Sequence, residues 1–143
     1  MRLISFALVL LCAASAAQDP ERVKAEPNPE KRSRAALDAA DANLKAARQA
    51  YADGDMKQTA DQLDELSHAV ALAESSLNES GKNPSKSPKH FKHAEIKTGE
   101  LLRKLDAFAH DMSYTDRPMT EKIRESLQEA HDRLLSGIMG KKK

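Results

Sequence analysis

Two histidines near the middle of the chain have a spacing that suits a metal ion. His90 and His93 are three residues apart, so on a helix their side chains would lie on one face and reach a single cation. The flanking Lys86, Lys89 and Lys92 create a positive field that opposes a divalent ion. We therefore expect no bound cofactor. His90 and His93 remain weak candidates for metal ligands, and a small metal- or haem-binding carrier remains an alternative function.

A second pattern, at Glu65 and His68, has the Glu-x-x-His spacing of di-iron helical bundles. Such a site also needs a second Glu-x-x-His and further glutamates that point inward. If Leu63, Leu66 and Val70 face the core, then His68 falls on the outward side of its helix. We expect His68 to be exposed and not to bind iron.

Catalytic patterns are weaker than the metal patterns. The only cysteine, Cys12, lies in the N-terminal apolar run, so a chain from which that run is removed has no thiolate nucleophile. The sequence contains no Cys-x-x-Cys-His for covalent haem, no glycine-rich phosphate loop, and no serine with a histidine and a carboxylate at a recognisable spacing. We therefore expect a protein that is not an enzyme.

Basic residues concentrate in one segment. Residues 81–105 contain seven basic and two acidic residues, whereas residues 53–80 contain seven acidic residues and one lysine. Mutual attraction between adjacent helices is the simplest interpretation. The alternative is that the segment 82–92 binds an anion or an acidic polymer through Lys82, Lys86, Lys89 and Lys92.

The first 17 residues have the pattern of a secretory signal peptide. Arg2 precedes an apolar run at 3–13, and small residues follow at 14–17. This run of about eleven residues is too short to span a bilayer, which requires about twenty. We expect an exported protein, periplasmic or extracellular, without a transmembrane span.

Removal of such a signal leaves a chain with no net charge. Arg2 is its only charged residue, so 22 basic residues remain from 23 and balance the 22 acidic ones. Aromatic residues are also few, which leaves little material for stacking on bases. We expect no nucleic-acid partner.

The elements that would position these side chains are helices. Apolar or small residues recur at steps of three and four through a heptad seam: Met56, Thr59, Leu63, Leu66, Val70, Ala73 and Leu77. A narrow seam stabilises a helix only when it is buried against other helices. Similar seams occur at about 30–52, at 91–112 and at 118–138. We predict four long helices in one domain, 30–140, after a proline-containing flexible leader, 18–29, and before a basic tail, 141–143.

Short connections indicate how these helices are joined. Gly54 can end the first helix, and Asp55 with Gln58 has the pattern of a capping box for the second. Ser87 before Pro88 predicts a cap for the third. We predict an all-α fold, an up-down-up-down four-helix bundle. The alternative is two helical hairpins that dock loosely or exchange in a swapped dimer.

The first hairpin, with Tyr51 before Gly54 and Asp55, resembles one tetratricopeptide repeat (TPR). The resemblance covers this hairpin alone, and Thr59 stands where that family usually has alanine. It implies a TPR-like helical hairpin and no particular activity.

Three apolar residues lie off the predicted seams. Leu72, Ile96 and Leu135 would point outward, and Leu72 and Ile96 would lie at similar height on antiparallel helices. We therefore predict an outer patch that contacts a protein partner, a second copy or the leader. The alternative is that these side chains are isolated surface residues or belong to a wider core. The leading hypothesis is an exported, non-enzymatic helical protein that acts through protein–protein contact.

Overall fold

A computed structural model describes residues 19–140, and this part of the chain contains five α-helices and no strand. The helices are α1 (Pro20–Lys24), α2 (Pro29–Ala52), α3 (Met56–Glu79), α4 (Lys89–Asp111) and α5 (Pro118–Ile138). The all-α prediction is therefore confirmed. None of the helices described is both long enough and apolar enough to cross a membrane. The predicted signal peptide (1–17) and basic tail (141–143) lie outside the described residues.

The turn between α2 and α3 forms as the sequence predicted. Gly54 has a φ of 77°, the left-handed conformation that glycine adopts without steric cost. The side chain of Asp55 then accepts a hydrogen bond from the backbone nitrogen of Gln58 at 2.9 Å and caps α3. This tight turn brings α2 and α3 into the most extensive helix–helix contact of the described residues.

The predicted seams form the core. On α3, Leu63, Leu66 and Leu77 are at most 1% exposed, and most of the corresponding positions of α4 and α5 are buried as well. Two clusters of buried apolar side chains result. One contains Leu66 and Leu105, and the other contains Leu37, Leu77 and Phe91.

The hairpin of α2 and α3 packs against the hairpin of α4 and α5. Between the two hairpins, α2 contacts α4 and α3 contacts α5, whereas the contact between α3 and α4 is less extensive. The expected attraction between the acidic α3 and the basic start of α4 is replaced by other ion pairs. Lys104 of α4 reaches Asp41 of α2, and Arg133 of α5 reaches Glu74 of α3 at 2.7 Å. This packing is compatible with a four-helix bundle.

The segment that we predicted as a flexible leader contains α1. Asp19 caps this short helix, and the side chain of Val23 is only 6% exposed. Arg32 of α2 donates one hydrogen bond to the carbonyl oxygen of Glu26 and another to Ser76 of α3, both at 2.9 Å. Burial of Val23 and this bridge by Arg32 supply the contacts that the composition of the segment did not suggest.

Candidate functional site

A cleft at the start of α4 contains several of the basic residues singled out in the sequence. It has a volume of about 450 Å³ and is lined by Lys82, Ser87, Pro88, Lys89 and His90. Lys82, in the connection between α3 and α4, lines this cleft together with Lys89 and His90 of the first turn of α4. Lys82 and Lys89, predicted as anion ligands, therefore share one site.

The cap predicted for α4 is wrong by one residue. Pro88, not Ser87, precedes the first helical residue, and no side chain caps this end of the helix. The backbone N–H groups of a first helical turn have no partner within their own helix. They add a partial positive charge to the one that the lysines provide.

An acidic side chain from another helix already contacts this cleft. The Oε2 atom of Glu30, in the first turn of α2, lies 2.8 Å from Nε2 of His90, and Lys82 donates a hydrogen bond to the other oxygen, Oε1. The hydrogen bond from Lys82 lowers the pKa of Glu30 below its usual value, despite the opposing effect of burial, and the charges of His90, Lys82 and Lys89 lower it further. Glu30 is thus held as a carboxylate.

Only one ring nitrogen of His90 lies close to a polar group of another helix within residues 19–140. Its Nε2 faces Glu30, whereas its Nδ1 is buried and has no hydrogen-bond partner among the described residues. The orientation of the imidazole ring therefore depends on a carboxylate placed at Nε2.

The other predicted ligands lie outside this cleft. Lys86 and Lys92 are exposed and do not line it. His93 is half-buried on α4, and its pKa is lowered first by burial and then by the charges of Arg34 and Lys97. Within residues 19–140, no group of three or more histidine, cysteine or acidic side chains is arranged to hold a metal ion. His68 is exposed, as the seam predicted.

A contact between α4 and α5 was not foreseen from the sequence. Nε2 of His131 lies 2.9 Å from Oε1 of Glu95, and both side chains are about four-fifths buried. Gly99 lies beside the ring, where an added Cβ atom would be in ordinary van der Waals contact with Nε2 of His131, at 3.5 Å. The presence of a glycine at this position is therefore not required by the contact.

The three residues predicted as one outer patch occupy different environments. Leu72 is half-buried, packs against the cluster that contains Val23, and lines a cavity of about 300 Å³ between α1, α2 and α3. Ile96 and Leu135 do not line that cavity, and they remain 48% and 38% exposed. The predicted contact of Leu72 with the leader is thus present, and the outward-facing pair is Ile96 and Leu135.

No protein-family model matches the chain, and comparisons with curated proteins and with solved structures found no match.

Proposed function

We propose that the protein is exported and acts through contact with other proteins, without catalysing a reaction. The proposal of export, to a periplasmic or extracellular space, is based on the signal-like pattern of residues 1–17. The proposal of protein contact is based on the exposed apolar pair Ile96 and Leu135.

The position of this pair is the main support for protein contact. Ile96 follows Glu95 directly, and Leu135 lies one helical turn, about 6 Å, beyond His131. The contact between Glu95 and His131 therefore holds α4 against α5 at a point that is near Ile96 in α4 and near Leu135 in α5. Two exposed apolar residues on adjacent helices offer more area to a partner than isolated ones do.

We also propose that the four long helices form an up-down-up-down bundle. Arg32, near the start of α2, contacts Ser76, near the end of α3, and Asp106 in α4 contacts Arg124 in α5. These contacts support two antiparallel hairpins. The contacts of α2 with α4 and of α3 with α5 support hairpins that lie side by side. In the proposed arrangement, successive helices alternate in direction, as in an up-down-up-down bundle. The two hairpins also dock against each other, as in the alternative architecture.

The experiment that tests the contact function replaces both exposed side chains, as Ile96→Gln with Leu135→Gln. The matched control replaces exposed polar residues of the same helices, as Arg103→Gln with Glu125→Gln. We expect both variants to keep the helical circular dichroism of the parent, and only the first to lose self-association in sedimentation velocity or cross-linking to a partner in the native compartment. Equal association of the parent and both variants would refute the proposed surface.

A second candidate function is binding of an anion or an acidic polymer. It is favoured by the shared cleft of Lys82, Lys89 and His90, in which a carboxylate is already held. A labelled polyglutamate should bind to the purified protein with an affinity that falls as salt screens the charges. Binding that is independent of salt, or absent, would exclude this function.

A further inference from the structure

We propose that the cleft of Lys82, Lys89 and His90 binds a carboxylate of an acidic segment in a partner protein, and that Glu30 is an internal occupant which the partner displaces. This inference rests on the second candidate function and names its ligand. A glutamate- or aspartate-rich segment is the partner chemistry that the site fits.

The cleft already holds the chemical group that we assign to the partner. Lys82 donates to one oxygen of Glu30, and His90 contacts the other at 2.8 Å. A charge-assisted hydrogen bond from a lysine to one oxygen, with an imidazole nitrogen beside the other oxygen, is an arrangement that recognises a carboxylate. A glutamate or aspartate side chain of a partner has the same two oxygens and can occupy the same position.

Glu30 neutralises only part of the positive charge at this end of the molecule. Lys89 lowers the pKa of Glu30 through its charge, yet it forms no ion pair within residues 19–140. Lys86 and Lys92 are exposed, and each lies within three residues of a residue that lines the cleft. A segment with several carboxylates can meet these lysines together with Lys82, whereas Glu30 supplies a single charge. The excess of positive charge favours the acidic segment over the internal occupant.

The contacts of His90 make the exchange feasible. Nδ1 of this ring has no hydrogen-bond partner among the described residues, and Nε2 lies 2.8 Å from Oε2 of Glu30. A carboxylate from a partner at Nε2 preserves that contact when Glu30 leaves. The side chain of Glu30, in the first turn of α2, is 18% exposed and belongs to neither cluster of the apolar core, so its displacement breaks polar contacts and leaves the core packing in place.

The test uses a fluorescent hexaglutamate peptide and the chain without its signal, at low salt, with binding followed by fluorescence anisotropy. Glu30→Gln removes the internal competitor, so we expect affinity to rise about threefold or more. Lys82→Gln with Lys89→Gln removes two donors, so we expect affinity to fall about tenfold or more. Salt should weaken the binding of the parent.

Matched controls separate the cleft from net charge. Glu121→Gln removes a negative charge from an exposed position of α5, and Lys57→Gln with Lys122→Gln removes two remote positive charges. We expect each control to bind within about twofold of the parent. If Glu121→Gln strengthens binding as much as Glu30→Gln does, or if the remote lysines matter as much as Lys82 and Lys89, the inference is wrong.

Inorganic phosphate distinguishes the failure of this inference from the failure of the function on which it rests. We expect phosphate to compete with hexaglutamate only at much higher concentration, because it cannot reach several lysines at once. If phosphate binds to the cleft and hexaglutamate does not, the acidic-segment inference fails alone. If neither binds, the second candidate function fails too. Should Glu30→Gln lose its helical circular dichroism, His90→Gln provides the alternative variant, and unchanged hexaglutamate affinity in it would refute the exchange.

Discussion

The hydroxyl group of Tyr51 donates a hydrogen bond of 2.9 Å to the carboxylate of Asp116, and this contact ties the end of α2 to the connection between α4 and α5. The same hydroxyl accepts a hydrogen bond from the backbone nitrogen of Ser113 at 3.0 Å. The ring of Tyr51 packs edge-on against Phe108, with centroids 5.7 Å apart. One side chain thus joins three parts of the fold.

We expect Tyr51→Phe to lower the free energy of unfolding in a pH-dependent way. The hydroxyl of Ser113 first, and that of Tyr51 second, lower the pKa of Asp116 in the folded state. A lowered carboxyl pKa contributes stability that is present in full above the unfolded pKa, about 4, and is lost as the pH falls through the folded pKa. The loss caused by Tyr51→Phe in urea melts should therefore be largest above about pH 5 and should shrink in acid. A loss that does not change with pH would refute this role.

The core seam predicts that substitutions at two residues only two positions apart have very different effects on the free energy of unfolding. Leu66 is fully buried, and Leu66→Ala should lower the free energy of unfolding by about 2–5 kcal/mol. His68 is exposed on the same helix, and His68→Ala should change it by no more than about 0.5 kcal/mol. Urea melts of both variants measure the difference. Similar losses at the two positions would show that the seam assignment is wrong.

Two glycines in helices should respond differently to alanine. A Cβ atom at Gly99 would meet His131 at an ordinary distance of 3.5 Å, so Gly99→Ala should stabilise the protein by about 0.5–1 kcal/mol through its higher helix propensity. At Gly137 a Cβ atom would lie 3.3 Å from the rigid ring of Pro84, which offsets that gain. Thermal melts should therefore rank Gly99→Ala as the more stable variant. The reverse order would contradict the packing of α5.

Whether α1 is folded against the rest of the protein can be tested by replacing Val23, its buried side chain. Val23→Ala removes two buried methyl groups, and the burial of each contributes about 0.8 kcal/mol. The substitution should therefore lower the free energy of unfolding by about 1–2 kcal/mol. Arg22→Ala, at an exposed position of the same helix, is the control and should have almost no effect. If Val23→Ala has as little effect as the control in urea melts, the segment behaves as the flexible leader predicted from the sequence.

The sequence predicted the long helices well because their information is local. The periodic seam identified Leu66 as buried and His68 as exposed, and Asp55 with Gln58 marked the start of α3. Each of these features depends on residues that lie within one or two helical turns of each other. The same local pattern therefore gave the all-α class.

Contacts between distant parts of the chain were not predictable in this way. The cleft needs Glu30 of α2 beside His90 of α4, and their approach depends on which helices are neighbours. Heptad positions give the buried face of each helix but not its partner. The expected pairing of α3 with α4 is therefore less extensive than the contact of α4 with α2, which was not predicted. Helix α1 was not predicted because its contacts include the burial of Val23 and a bridge by Arg32 that reaches Ser76 in α3.

The most direct test of the proposed contact function is site-specific photo-cross-linking in the organism that makes the protein. The full-length chain, with its signal-like segment, receives the photoreactive residue p-benzoylphenylalanine in place of Ile96 or, in a second sample, of Leu135. The control sample receives it in place of Arg103, which is also exposed on α4. We expect the first two samples to yield the same cross-linked protein, either a partner or a second copy, and the control to yield none. Identical products from all three positions, or none from Ile96 and Leu135, would contradict the proposal that the protein acts through contact at this surface.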